Sequence, residues 1–403
     1  MVTERVSAGR AWLVALVAVI VTSTQVWVMW RSLSTPAVLF TSSFDYKISL
    51  WAPTHGLFDG LNPYDPSNLA YTQMFDVIEA ALHPPMVLLL ASPTTGFDLN
   101  TGYLLFVLVS SLMMWAAAVI MIPPSDRRST IAVVVTGLLL TVSGPGDEVL
   151  RLGQVTAFVV LGLALTLRFS KTWWGAFGVA LVLVSPQFGL VVSVALLALR
   201  HFRLVLRGWL LAVLLSLPVA IWAVLDAGGI GVFGRGVVGN LRNAGGLGNA
   251  LNRMDLPGRL GQGAPLWSLA GVVGVLVFAW ILHSRRPDLN DEVALGIVAL
   301  ALVCVFSMPY YLPVALLVGA SALWAAKHWR VVEWITAVMI TLTIPAALWI
   351  CVPLGRLVGI PAVRYWAFLT YIEGLLLLAI VVGVGIRIVR SDAVELVGRN
   401  ERV

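Results

Sequence analysis

The chain has 403 residues, of which 59% are hydrophobic and only 11% charged, with a formal net charge of +6. Soluble domains carry roughly 25% charged residues, so this composition excludes a soluble globular protein and points to a polytopic membrane protein. The basic residues are spread among short loops between apolar runs, a pattern that reports membrane topology and argues against nucleic acid as a partner.

The first apolar run, Ala11 to Trp30, follows Arg5 and Arg10 and ends in Trp-Val-Met-Trp rather than in small residues. It reads as a retained span, not a cleaved signal peptide. A polar interval over 31–82 follows and carries Asp45, Asp59, Asp65, Asp76 and Glu79. Asn62-Pro63-Tyr64-Asp65-Pro66 is turn chemistry and needs no ligand. Asp45 sits among Phe44, Tyr46, Ile48, Leu50 and Trp51, which predicts a short amphipathic element on the bilayer surface. A carboxylate there is either a solvated surface charge or a general base toward a hydroxyl carried on a lipid. The apolar core of Pro84 to Ser92 is too short to cross ~30 Å of hydrocarbon, so a re-entrant or interfacial helix is expected.

With the short Lys- and Arg-rich loops placed in the cytoplasm, the crossings fall near 11–30, 101–121, 131–143, 152–168, 173–184, 187–199 and 208–225. The later ones fall near 265–283, 292–306, 309–326, 331–352 and 365–386. The expected fold is an all-α transmembrane bundle of about twelve spans in a single domain over 1–403, with both termini inside. The weakest part is 173–199: one long helix fits the length, but a hairpin at Ser185-Pro186-Gln187 keeps Arg200, Arg203 and Arg207 inside. This map gathers the chemically unusual segments on the outer face, so chemistry outside the cytoplasm is expected.

Asp147 and Glu148 read as acidic residues at the positive end of a helix dipole. Gln154 does not fit that reading, because a polar side chain heading an apolar run needs a partner. The interval 226–264 holds Arg235, Arg242, Arg253 and Arg259 among twelve glycines. It is either a phosphate-gripping loop, glycine allowing close approach and guanidinium supplying forked hydrogen bonds, or a connector whose arginines meet lipid headgroups. Ser307-Met308-Pro309-Tyr310-Tyr311 places a break and two tyrosines at an outer end, where aromatic belting also accounts for tyrosine. Cys304 and Cys351 lie within apolar runs, so no disulfide framework is expected. The five histidines are scattered and no Walker A loop or dinucleotide fingerprint is present, which leaves nucleotide and zinc chemistry without support.

In chain order the sequence presents Asp45-Tyr46 after the first span, Gly60-Leu61-Asn62-Pro63-Tyr64-Asp65, and His83-Pro84-Pro85 with an apolar run ending in Pro93. Gly153-Gln154-Val155, Pro186 and Pro309-Tyr310-Tyr311 follow. This succession resembles the family 87 membrane glycosyltransferases of the GT-C superfamily, from about residue 10 to 390. The resemblance implies transfer of mannose or arabinofuranose from a polyprenyl-phosphate donor to a cell-envelope glycan or glycolipid on the outer face of the plasma membrane. It further implies Asp45 as the catalytic base. Lys47, His83, Arg151, Gln154, Tyr310 and Tyr311, with Arg235, Arg242, Arg253 and Arg259, are the candidate substrate-binding residues. No cofactor and no metal site are expected; a divalent metal stays open as an alternative, but the outer carboxylates show no ligand spacing that supports one. His83 stands where the family usually has Tyr, Thr156 where Asn often follows, and Ser185 where Lys often precedes Pro. The last difference leaves Arg151 or the arginines of 226–264 to meet the donor phosphate. Asp45-Tyr46-Lys47 and Pro309-Tyr310-Tyr311 resemble the arabinofuranosyl branch slightly more. Twelve spans and helices broken at Pro186 and Pro309 also suit a transporter or lipid flippase, although the spans hold few ionisable residues and no internal repeat is found.

Overall fold

The computed structural model describes residues 2–33, 45–65 and 83–235, together with residue 43 and, singly, 273, 277, 280, 313, 314 and 317. Among the described residues the fold is wholly helical. Helix α1 is Val2–Leu33, followed by a π-helical turn, Tyr46–Trp51, and the short α2, Ala52–Phe58. Next come α3 (Pro85–Thr95), α4 (Leu99–Met121), α5 (Arg127–Val142) and α6 (Gly144–Leu152). The described bundle continues with α7 (Thr156–Arg168), α8 (Trp173–Val182), α9 (Pro186–Ala198) and α10 (Phe202–Asp226).

Polar residues set the helix starts. The Asp98 carboxylate accepts from the Asn100 and Thr101 amides at 3.1 Å and opens α4, while Asp126 and Ser129 form a reciprocal capping box on α5, each device satisfying amides that have no partner in a first turn. Pro85 and Pro186 occupy the first turns of α3 and α9, where a missing N–H costs nothing.

Among the described residues three helices are long and apolar enough to cross a bilayer: Ala8–Leu33, Leu99–Met121 and Phe202–Asp226. The bent pair Arg127–Val142 and Pro145–Leu152, turning through 52°, makes a fourth if counted as one span. Trp12, Leu16, Ile20 and Trp27 on α1 are all more than half exposed. Trp12 and Trp27 lie ~23 Å apart along the axis at ~1.5 Å per residue, near the two ends of this exposed apolar stripe.

The crossings expected at 152–168, 173–184 and 187–199 are helices of 13, 10 and 13 residues. At ~1.5 Å per residue each rises only ~15–20 Å, short of ~30 Å, so none counts among the described helices long enough to cross a bilayer unaided. Eleven residues of α7 are buried; its all-round apolarity reflects a position inside the bundle, against α4 and α8. The α7–α8 crossing is close because a Cβ at Gly178 would lie 2.5 Å from the Gly162 carbonyl oxygen, and one at Gly162 would lie 2.6 Å from that of Gly178. The expected short α3 is present as an 11-residue helix. The expected hairpin is present too: α8 breaks before Pro186, the Arg207 guanidinium lies 4.9 Å from the Trp173 ring centroid, and the Trp209 indole donates to Ser193 Oγ at 3.0 Å. Thus α9 returns the chain to the end from which α8 started. The five crossings expected beyond residue 264 lie outside the described residues, apart from the isolated positions; of these, Val314 and Leu317 are buried in the main core.

The bundle has two chemically distinct ends. At one, Arg10 donates to the Ser125 carbonyl at 2.7 Å beside Arg127 and Arg128, and Arg207 stacks on Trp173. At the other, Gln25 donates to the Thr141 carbonyl at 3.0 Å, and the π-helical turn meets α6.

Candidate active site

Asp45 is the residue that leads into the π-helical turn. Such turns widen the backbone by one residue and are common where a side chain must be aimed. The chain arrives there through Ser43, which has φ 72° and whose N–H donates to the Arg151 carbonyl at 2.7 Å; the Ser43 carbonyl in turn accepts from Lys47 N–H at 2.8 Å. The turn is therefore anchored on α6 before any side chain is considered.

Helix α6 ends in a Schellman closure. Gln154 N–H donates to Val149 O at 2.9 Å and Gly153 N–H to Leu150 O at 3.2 Å, with Gly153 left-handed at φ 75°. This elbow aims the Gln154 side chain at the turn, where its amide Nε2 donates to the Asp45 carboxylate. The unexplained glutamine heading an apolar run thus has its partner, 109 residues away in sequence.

Tyr46 fixes the next position. Its side chain is fully buried, with ring centroids 5.1 Å from Phe106 and 5.9 Å from Tyr103, and its hydroxyl lies 3.3 Å from Thr94 Oγ1. Burial pushes this phenol up to about 12, so it stays protonated. The elbow comes so near that a Cβ on Gly153 would lie 2.4 Å from Tyr46 Cβ. Tyr103 closes the arrangement by directing its hydroxyl to the Arg151 carbonyl at 2.9 Å and the Leu150 carbonyl at 3.1 Å.

The other predicted residues fall into three groups. Lys47 is half-buried on the same turn, and burial pulls its ammonium pKa down. Arg151 is half-buried on α6, one turn after Asp147, whose carboxyl is pushed up by burial and drawn back by that guanidinium. His83 is half-buried at the start of α3, with its carbonyl accepting from the Tyr64 hydroxyl at 2.9 Å. Burial pulls the imidazole down to about 4, so near neutral pH His83 is a neutral hydrogen-bonding group rather than a cation. Arg235 is exposed, two residues beyond Phe233, which packs edge-on to Tyr64 at 5.4 Å. Arg242, Arg253, Arg259, Tyr310 and Tyr311 lie outside the described residues.

Several contributing residues were not singled out from sequence. Asn62 is buried and does more than turn the chain: its Nδ2 donates to the Ala223 carbonyl of α10 at 2.9 Å, and its Oδ1 accepts from Tyr64 N–H at 3.0 Å. Trp51 donates to the Phe97 carbonyl at 3.0 Å and stacks on His55 at 4.6 Å. The Asn62 and Trp51 hydrogen bonds tie the first loop to α10 and to the α3–α4 connection, contacts that local spacing does not announce. Among the described residues no group of three His, Cys, Asp or Glu side chains is placed to hold a metal ion.

The arrangement offers an oriented carboxylate that accepts a hydrogen bond from the Gln154 amide, at the end of the bundle opposite the Arg10 cluster. No curated protein and no solved structure matches the chain. The family model of glycosyltransferase family 87 matches residues 81–308, more than half of the sequence and the whole stretch from just before α3 through α10. The chain is therefore a membrane-embedded glycosyltransferase and belongs to glycosyltransferase family 87.

Proposed function

We propose that the protein transfers a single sugar, arabinofuranose or mannose, from a polyprenyl-phosphate donor to a hydroxyl of a cell-envelope glycan or glycolipid, with inversion at the anomeric carbon. The observation that carries this reading is the Asp45 carboxylate held by Gln154 in a chain of a glycosyltransferase family. That membership also weighs against the transporter or flippase alternative.

In the proposed reaction the acceptor oxygen attacks the anomeric carbon as the bond from that carbon to the phosphate oxygen breaks. Asp45 takes the acceptor proton, and the lipid phosphate leaves with the bonding pair. A carboxylate is a weak base toward a resting hydroxyl, but the hydroxyl becomes strongly acidic as its bond to carbon forms, which is when the proton moves. Arg151 and the arginines of 226–264 meet the negative charge gathering on the leaving phosphate. Holding donor and acceptor at one bilayer surface removes much of the entropic cost of their meeting. The phosphate ester supplies the leaving group, so no nucleotide is required on this face.

Orientation follows from charge. With the end that carries Arg10, Arg127, Arg128 and Arg207 in the cytoplasm, the Asp45 end faces outward, in the plasma membrane. The first test is transfer in membranes containing wild type or Asp45→Asn, with labelled polyprenyl-phosphate mannose and polyprenyl-phosphate arabinose supplied separately. One donor should be consumed by wild type, and the variant should lose at least a hundredfold in turnover at unchanged protein level. Wild-type rates from Asp45→Asn would overturn the assignment of the base.

A further inference from the structure

We infer that Gln154 is a positioning residue for the base and not a contact for substrate, and that its amide is suited to hold Asp45 in both of its protonation states. This rests on the reading of Asp45 as base. The carboxylate must accept a proton during the reaction, so its partner has to serve it before and after. Ionised, Asp45 accepts the Nε2–H of Gln154; protonated, it would present an O–H donor, for which a half-turn of the amide offers Oε1. A cation at 154 would favour the ionised form alone and weaken the base, and a second carboxylate would penalise that form.

The geometry around the pair supports a dedicated device. Gln154 is aimed by the Schellman closure of α6, and the neighbouring Gly153 sits against Tyr46, the residue after Asp45. Tyr46 is pinned in turn by the Thr94 hydroxyl and the rings of Tyr103 and Phe106. One elbow thus touches both the backbone that carries the base and the carboxylate itself. The charged and titratable groups on the elements packed around this turn are Lys47 and Tyr46 on the turn, His55 on α2 with Asp59 at its C-cap, His83 ahead of α3, Tyr103 on α4 with Asp98 at its cap, and Asp147, Glu148 and Arg151 on α6. Each keeps its identity in the variants, and Gln154→Ala, which adds no charge, controls for their response to the carboxylate that Gln154→Glu introduces.

The experiment compares wild type, Gln154→Glu, Gln154→Ala and Asp45→Asn as full-length protein in membranes, with kcat and donor KM measured from pH 4 to 9 and normalised to folded protein. In Gln154→Glu two carboxylates share one site, and the acid limb of kcat should move to higher pH by a unit or more. In Gln154→Ala, kcat should fall about ten- to hundredfold with donor KM within about twofold of wild type. A role limited to folding would lower the amount of protein and leave both the limb and the split between kcat and KM in place. An unmoved acid limb in Gln154→Glu, or a loss in Gln154→Ala confined to KM, overturns the inference. Should Gln154→Glu fail to accumulate, the kcat and KM values of Gln154→Ala decide alone. Wild-type turnover in Asp45→Asn would instead sink the base assignment; an inactive Asp45→Asn beside a fully active Gln154→Ala would sink only the role of Gln154.

Discussion

Gly153 carries two separable demands, and substitution measures both. Its φ of 75° lies in the left-handed region, where a residue with a Cβ costs roughly 1–2 kcal/mol. A Cβ there would also stand 2.4 Å from Tyr46 Cβ and 3.2 Å from Tyr46 Cα and N. Neither partner is the end of a flexible side chain, because Tyr46 is fully buried and fixed at its ring and hydroxyl. Forcing an atom into such a site typically adds about 1–3 kcal/mol. Gly153→Ala should therefore destabilise by about 2–5 kcal/mol, a large share of the ~5–15 kcal/mol that holds a domain together. The assay is SDS-induced unfolding of the purified protein in mixed micelles, followed by tryptophan fluorescence. Gly153→Asn separates the causes: asparagine tolerates the left-handed conformation yet has the same Cβ, so it should remain destabilised by at least about 1 kcal/mol. Stability of Gly153→Ala within about 0.5 kcal/mol of wild type would refute the close packing of elbow and turn. An asparagine variant as stable as glycine would leave backbone conformation as the whole effect.

Further expectations concern the bundle and its pH response. Gly178→Leu places a side chain where a Cβ alone would lie 2.5 Å from the Gly162 carbonyl and 2.6 Å from Thr166 N. It should prevent the α7–α8 crossing and abolish the monodisperse peak in size-exclusion chromatography; an unchanged peak would contradict the crossing. His83 has its pKa lowered to about 4 by burial, so between that value and the ordinary ~6.5 the unfolded chain binds the proton that the folded chain refuses. Its contribution is in place above pH ~6.5 and is lost as pH falls toward 4, by at most about 3 kcal/mol. The difference in unfolding free energy between wild type and His83→Gln should follow that window, and a pH-independent difference would show His83 to be solvated.

Much of the bundle is legible because hydropathy and helix termini act locally. The expected crossings at 101–121 and 208–225 correspond to α4 and α10, and Pro186 marks the hairpin that the positive-inside argument required. For 152–168 the apolar run alone says neither how long the helix is nor what surrounds it. Facing lipid or enclosed by other helices, its residues are equally apolar; only the 13-residue length of α7, set by the elbow at 153–155, separates the cases. The site was legible as two separate anomalies. Asp45 stood out as a carboxylate among aromatic residues and Gln154 as an amide without an evident partner, but nothing periodic connects positions 109 apart. Gln154 therefore reads from sequence as a candidate substrate contact, and its bond to Asp45 is visible only where turn and elbow meet.

The family match begins at residue 81, beyond the residue assigned as base, yet the match and the site are not independent. The following partners, which fix the Asp45 segment from outside, lie within 81–308: the Arg151 carbonyl for Ser43, the Gln154 amide for Asp45, and Gly153, Thr94, Tyr103 and Phe106 for Tyr46. The matched region forms the mould into which a six-residue π-helical turn is pressed. A turn that short cannot hold its own geometry in water, since ordering each residue costs about 1–2 kcal/mol of backbone entropy. Its order comes from burial of Tyr46, Ile48 and Leu50, together with the bonds to α6 and the elbow. Placement of the carboxylate is thus a property of the matched helices as much as of the loop that contains it. The requirement on the loop itself is narrow: an acid followed by an aromatic residue that fits between Gly153 and Thr94.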